Sequence, residues 1–211
     1  VDGEVWGDLE AACDFVGCIV REEVVTEEEE RVVVEGMDAL GWADSQWGRR
    51  KQDYGPKVNF KKQSVGDGQG MPPWGQVLLQ SAPQGFDAVE LGVIEYDEGR
   101  ESHMPAHIDD SWVWGERLVT YNLVSPCVFT FDNGPAGRIV RVPLTRGAVL
   151  EMAGVARMRW RHSIESDGYK GRRISATFRE LGREFMVGEE REQEGRRMRE
   201  RFRMNIDGAA A

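Results

Sequence analysis

The sequence predicts a mainly β fold, a sandwich or jelly roll, with helices flanking it. From residue 87 onward, short β-prone runs follow one another, separated by Gly, Pro, Asn and Asp. Seven or eight such runs fit into 87–182 with no helix-length spacer between them, a pattern of antiparallel rather than βαβ architecture. Helix signals are confined to the segments on either side. With 211 residues, 40% hydrophobic and 30% charged, the chain can bury a core of its own.

In chain order, EEVVTEEEERVVVEGMDALGW (22–42) reads as a helix starting near Thr26. Thr26 and Glu29 stand at the spacing of a capping box, and the glutamates occupy the positive end of the helix dipole. Val32, Val33, Met37 and Leu40 supply the apolar face. Residues 46–70 show no helical period and hold five glycines, so a long, partly irregular segment is expected there. MPPWGQVLLQSA (71–82) opens on prolines and reads as a second short helix. The strand candidates are AVELGVIEY, ERLVTYNLV, CVFTF, RIVRVPL, AVLEMAG, MRWRHSI and RRISATFREL. The tail alternates charge sign and is expected to leave the last strand and end in an exposed helix. The expectation is one domain over 1–211: an extension (1–86) carrying a lid at about 46–70, a β core (87–182) and a largely helical tail (183–211).

The formal net charge is −10, unevenly placed. Residues 1–44 carry a balance of −12, whereas 46–62 hold six basic side chains and one acid. The whole molecule argues against tight nonspecific nucleic-acid binding, and this one basic segment leaves it open, as phosphate contacts or as a solvated loop. No stretch approaches a membrane span, and the acidic N-terminus lacks the basic-then-apolar pattern of a signal peptide. Cys13, Cys18 and Cys127 form no C-x-x-C pair, which suits free thiols in a reducing compartment, cytoplasmic or nuclear. A monomer is expected.

The chain has three histidines. His107 and Asp109 are two apart, so in an extended strand both face one point. His162 lies in a predicted strand 55 residues later. Two histidines and a carboxylate match the facial triad that holds Fe(II) and leaves its opposite coordination positions open. The alternative is three ordinary polar residues. His103 lies across Pro105 from His107 and is expected at the loop rim. In RRISATFREL, Arg173 and Arg179 are six apart, so both face the same side of a strand, with Ser175 and Thr177 between them. Two inward-facing cations are costly unless a dianion neutralises them, and a guanidinium grips a carboxylate through two parallel hydrogen bonds. Alternatively, the arginine row faces solvent and Ile174, Ala176 and Phe178 form the inward face.

The order H-x-D, distal His, R-x5-R resembles the AlkB family of Fe(II)/2-oxoglutarate dioxygenases. The resemblance is carried by GRRKQDYGPKVNFKKQ (48–63), HIDDSWVWGERLVTYNLVSP (107–126) and RRISATFREL (172–181), and spans roughly 15–185. It implies a double-stranded β-helix core with His107, Asp109 and His162 as iron ligands. It further implies that Arg173 holds the distal carboxylate of 2-oxoglutarate with Arg179 near its other end, and that Tyr96 hydrogen-bonds this cosubstrate. Many relatives carry Asn where this chain has Ile94 and Ser175. The implied reaction, with Fe(II), 2-oxoglutarate and O₂, is oxidative N-demethylation that yields succinate and formaldehyde.

The substrate the resemblance implies is methylated nucleic acid, chiefly N6-methyladenine in DNA. The alternatives are methyl-lysine on an actin-like protein partner, or a silent binding module. Segment 46–62 then serves as a recognition lid. Tyr54, Phe60, Trp112 and Trp114 are either stacking platforms for a flipped base or core residues. Arg49, Arg50, Lys51, Lys57, Lys61 and Lys62 are expected to follow phosphates, and Asp110 to face the substrate.

Overall fold

Thr26 starts the first helix as its spacing requires. Its hydroxyl accepts from the Glu29 amide (3.2 Å), and the Glu29 carboxylate accepts from the Thr26 amide (2.9 Å). The computed structural model describes residues 15–204; Cys13 and the acidic N-terminal stretch lie outside the described residues. The helix, α1, runs Glu27–Ala39. Only Val33 and Met37 of its expected stripe are buried; Val32 (42% exposed) and Leu40 (44%) face outward, because the core side is one turn-row wide. Its third buried residue is polar: Glu30 accepts from the Val124 amide and from Arg146, tying α1 to the main sheet.

The 46–70 segment differs from expectation. Beyond the edge strands β1 (Cys18–Arg21) and β2 (Ala43–Asp44), it folds into a regular hairpin, β3 (Arg50–Asn59) and β4 (Ser64–Gln69). The glycines that suggest a loop are close-approach points. A Cβ on Gly68 would meet the Gly55 carbonyl oxygen at 1.6 Å, and Gly55 itself has φ +109° against Val89. The second helix, α2, is shorter than the sequence suggests, at Gly75–Leu79.

The core strands are β5 (Glu90–Asp97), β6 (Met104–His107), β7 (Trp114–Leu123), β8 (Cys127–Asn133), β9 (Arg138–Leu144), β10 (Val149–Met152), β11 (Arg161–Ile164) and β12 (Arg172–Leu181). A one-turn helix α3 (Gly154–Met158) precedes β11. They form two antiparallel sheets, β1-β10-β7-β12-β5-β3-β2 with β4 added to β3, and β6-β11-β8-β9. This is the jelly-roll arrangement.

Strand β12 shows why the main sheet must be buried on both faces. Ile174, Ala176 and Phe178 pack beneath α1 and α2 with Val33, Met37, Leu78, Leu91 and Val119. Arg173, Ser175, Thr177 and Arg179 alternate onto the other side, facing the space between the sheets. The apolar row is inward as the alternative has it, but the arginines do not face solvent: Arg173 is fully buried. The inter-sheet space is apolar at one end, around Phe129, Phe131, Leu150 and Trp160, and polar where the arginines enter. The last helix, α4 (Glu189–Arg203), is not the free helix its charge suggests. Met198 and Phe202 are buried, and the Phe202 carbonyl accepts from Met71 N at 2.9 Å.

Candidate metal centre and cosubstrate pocket

His107 ends β6 and pairs in register with His162 on β11, so two neighbouring strands of the small sheet present the imidazoles side by side. Their ring centroids are 4.3 Å apart. Asp109 follows in the loop, with Oδ1 3.5 Å from His107 Nε2. One donor atom from each of the three residues lies within 4.8 Å of the others, the only such group among the described residues.

The surroundings fix the protonation states a metal needs. Burial pushes His162 down to about 3, keeping it a neutral imidazole, and its ring stacks on Phe129. Its buried Nδ1 has no hydrogen-bond partner. His107 Nδ1 lies 2.9 Å from the Pro105 carbonyl, which orients the ring with Nε2 turned toward Asp109. Burial raises the Asp109 carboxyl, but the Arg179 guanidinium and the two histidines outweigh it and hold the group well below the usual carboxylate range. Two imidazoles, one carboxylate and no thiol make a donor set suited to Fe(II). His103, as expected, sits at the rim, beside Trp47.

Arg179 reaches this centre from β12. Its Nε donates to Asp109 Oδ2 (3.1 Å) and its Nη1 to Glu90 Oε2 (2.7 Å), with Trp114 beneath the guanidinium. Burial lifts Glu90 to about 7 even against the pull of Arg179. Arg173, six residues away, is fully buried; its Nε donates to Asn122 Oδ1 (2.8 Å) and its carbon lies 4.8 Å from the Tyr96 ring centre. Nη1 and Nη2 are buried with no acceptor. A cation held with two parallel donors open is the counterpart of a carboxylate, so the residues fit 2-oxoglutarate.

Arg157 is absent from the sequence reading. It is wholly buried on α3, donating from Nη1 to the Asp109 carbonyl (2.7 Å) and from Nη2 to the Asp110 carbonyl (3.1 Å). A guanidinium thus clamps the backbone of the loop that carries Asp109. Replacing Arg157 by methionine leaves two carbonyls without their donors. The expected result is a loss of about 1–3 kcal/mol of stability and a 10- to 100-fold drop in metal affinity of roughly the size seen when support around a ligand is removed. Chemical denaturation and metal titration check the two effects.

A cleft of about 1000 Å³ opens above Asp109 and Arg179, beneath the β3–β4 hairpin. Lys51, Asp110, Trp114, Tyr54, Lys57 and Phe60 border it. Four expectations need correcting. Arg49 is 6% exposed, its guanidinium held by the Gln46 carbonyl and Met104, so it does not face a phosphate. Arg50 joins Arg100 and Arg172 on the buried Glu95 carboxylate and lies over Trp42. Trp112 packs against Phe185 under α4, away from the cleft. Tyr54 borders the cleft only as part of its wall: it is 5% exposed, edge-on to Trp74, with its hydroxyl on Gln52. Lys51 remains at the mouth, paired with Asp53 at 2.5 Å.

Two antiparallel sheets enclosing a His-Asp-His centre and a buried arginine define an Fe(II)/2-oxoglutarate dioxygenase. The chain is 34% identical over 234 residues to alpha-ketoglutarate-dependent dioxygenase alkB homolog 4 of Mus musculus, covering 93% of this chain and 78% of that protein. It is 35% identical over 191 residues to the DNA N6-methyl adenine demethylase of Caenorhabditis elegans, covering 86% of this chain and 65% of that protein. The chain belongs to the AlkB family. No protein-family model matches it. Among solved structures, OsALKBH1 superposes with a TM-score of 0.60 over 77% of this chain and 96% of that one, at 13% identity, a likeness of fold alone.

Proposed function

We propose that the chain removes methyl groups from N-methylated nucleic acid, with N6-methyladenine in DNA as its principal substrate. The observation that carries this reading is the cleft directly above Asp109, walled by aromatic rings and roofed by a basic hairpin. Its size suits a single flipped base, and the exposed ring of Phe60 on the hairpin offers a stacking face. The similarity to a worm protein named for this activity supports the same reading.

In this proposal His107, Asp109 and His162 hold Fe(II), and Arg173 and Tyr96 receive the distal end of 2-oxoglutarate, with Ser175 beside them. Iron and cosubstrate, when bound, would supply with O₂ as oxidant the chemistry that hydroxylates the methyl carbon, with succinate and CO₂ as coproducts and formaldehyde released. Asp109 stays ionised under Arg179, which keeps the ligand set charged. Arg157 keeps its loop fixed, so the methyl group meets a centre that does not shift. Asp110, at the floor of the cleft, is placed to accept from an N–H of the substrate. Lys57, Lys61 and Lys62 on the hairpin take the phosphate-contacting role expected of Arg49 and Arg50. Cytoplasm or nucleus suits Cys18 and Cys127, both free thiols. No helix among the described residues is long and apolar enough to cross a membrane.

A formaldehyde-release screen tests the proposal by setting single- and double-stranded N6-methyladenine oligonucleotides beside methyl-lysine peptides. Release from the oligonucleotides is expected; release from the peptides alone would replace this substrate by the protein one. Binding adds an independent check. Neutralising Lys57, Lys61 and Lys62 together should lower the salt slope of oligonucleotide affinity by about two to three. Arg49→Gln should leave that slope unchanged.

A further inference from the structure

We propose that Asn122 is a positioning residue that aims Arg173 at the distal carboxylate of 2-oxoglutarate. The inference rests on the reading of Arg173 as the cosubstrate's anchor. Nothing in the sequence pattern marks Asn122, which sits inside the β-prone run ERLVTYNLV.

Arg173 is buried, and among the described residues no carboxylate pairs with it. Among its nitrogens only Nε has an acceptor, the Asn122 side-chain oxygen at 2.8 Å. A guanidinium is planar, so fixing Nε fixes the direction in which Nη1 and Nη2 point. The Tyr96 ring lies against one face, which limits rotation about the remaining axis. One hydrogen bond and one ring together set the aim.

The amide is itself held. Asn122 Nδ2 donates to the carbonyls of Ser125 and Thr145, both at 2.9 Å. Turning the amide over would set its oxygen against those two carbonyls and its NH₂ against the guanidinium, so the network dictates that Oδ1 faces Arg173. The Cys127 thiol donates to the same oxygen at 3.3 Å. The backbone is pinned as well, since Asn122 N donates to the Ala148 carbonyl and its own carbonyl accepts from Gly147 N. The turn at 145–148 therefore holds the backbone and the NH₂ of the residue whose side-chain oxygen meets Arg173.

Cross-strand register explains why this residue carries the task. Ile94, Ser175 and Asn122 are direct neighbours in one row across β5, β12 and β7. Ile94 offers no polar atom and Ser175 only a short hydroxyl. Asn122 is the one amide in the row, and the neighbouring strand is where Arg173 finds its acceptor. An asparagine that served the turn alone would need only its NH₂.

The experiment is a pair of titrations of the Fe(II)-loaded protein under anaerobic conditions, with 2-oxoglutarate and with 2-oxopentanoate, which lacks the distal carboxylate. For Asn122→Ala, affinity for 2-oxoglutarate should fall about tenfold, the size of one lost hydrogen bond to a charged group, with 2-oxopentanoate affinity unchanged. Asn122→Asp should fall further, because its carboxylate would pair with Arg173 and repel the incoming dianion. Asn122→Ser, whose hydroxyl is too short to reach Arg173 and sets no charge against the Ser125 and Thr145 carbonyls, carries the test if the alanine variant does not fold. Binding of 2-oxopentanoate reports in each case that the iron end is intact. Equal weakening of both ligands, or no change in their ratio, would overturn the role of Asn122. Arg173→Leu separates the two readings. If it too leaves the ratio unchanged, the anchor itself is misassigned; if it alone collapses the ratio, only the inference about Asn122 falls.

Discussion

Asp109→Ala is expected to end 2-oxoglutarate turnover and to lower Fe(II) affinity by more than about 100-fold, beyond what loss of a supporting contact to a metal ligand costs. Asp109 is the sole carboxylate of the three-residue group. Its charge is guarded from two directions, by the Arg179 side chain at Oδ2 and by the Arg157 guanidinium on its own carbonyl. Removing the carboxylate leaves Arg179 facing Glu90 alone and places two histidines around a cation with no opposing charge. Metal analysis of the purified variant and succinate release measure the outcome. Turnover equal to that of the unaltered chain would show that the metal lies elsewhere.

The second large effect is at Arg173, and it divides stability from function. A buried cation with a single neutral acceptor has lost its water without gaining an opposing charge. Arg173→Met should therefore stabilise the cosubstrate-free protein, by about 1–4 kcal/mol if the replacement packs as buried ion-to-apolar exchanges do. That corresponds to a rise of several degrees in Tm for a chain of this length. The same change should weaken 2-oxoglutarate binding at least about 100-fold, since a desolvated, hydrogen-bonded charge pair is lost when one partner is truncated. The unaltered protein should gain Tm with added 2-oxoglutarate, and the variant should not. A variant that loses both stability and binding would mean that the arginine serves packing rather than the cosubstrate.

Much of the fold and of the metal centre was legible because it follows from parity and spacing. The cap at Thr26, the strand runs after residue 87, and the shared face of Arg173 and Arg179 are local patterns that survive folding. His107, Asp109 and His162 could be selected because the chain offers so few histidines. What could not be read depends on which backbones approach each other. Gly55 and Gly68 look like loop residues until β3 and β4 are brought together, and then they prove to be the only residues that fit there. Arg49 and Arg50 look like surface charges because a linear sequence does not show Met104 or the buried Glu95. Trp112 and Trp114 are two apart in sequence, yet only Trp114 borders the cleft.

Other missed residues left a fainter trace. Glu90 is six positions before Tyr96 and so shares its inward face, which the even spacing alone could have revealed. Arg157 is one of two cations, with Arg159, in the largely apolar approach to β11, and a buried cation there asks for a partner. The partner is a pair of carbonyls, and no side-chain pattern announces those. Asn122 likewise answers to carbonyls from a turn more than 20 residues away in sequence.

The most direct measurement is an anaerobic titration of the purified protein with Fe(II) and 2-oxoglutarate, followed by visible absorption. A charge-transfer band that saturates at one equivalent of each is expected. It should be absent from Asp109→Ala and His162→Ala, and shifted to far higher 2-oxoglutarate concentration in Arg173→Met. No band from the unaltered chain, or an undiminished band from the Asp109 and His162 variants, would contradict an iron centre built on His107, Asp109 and His162.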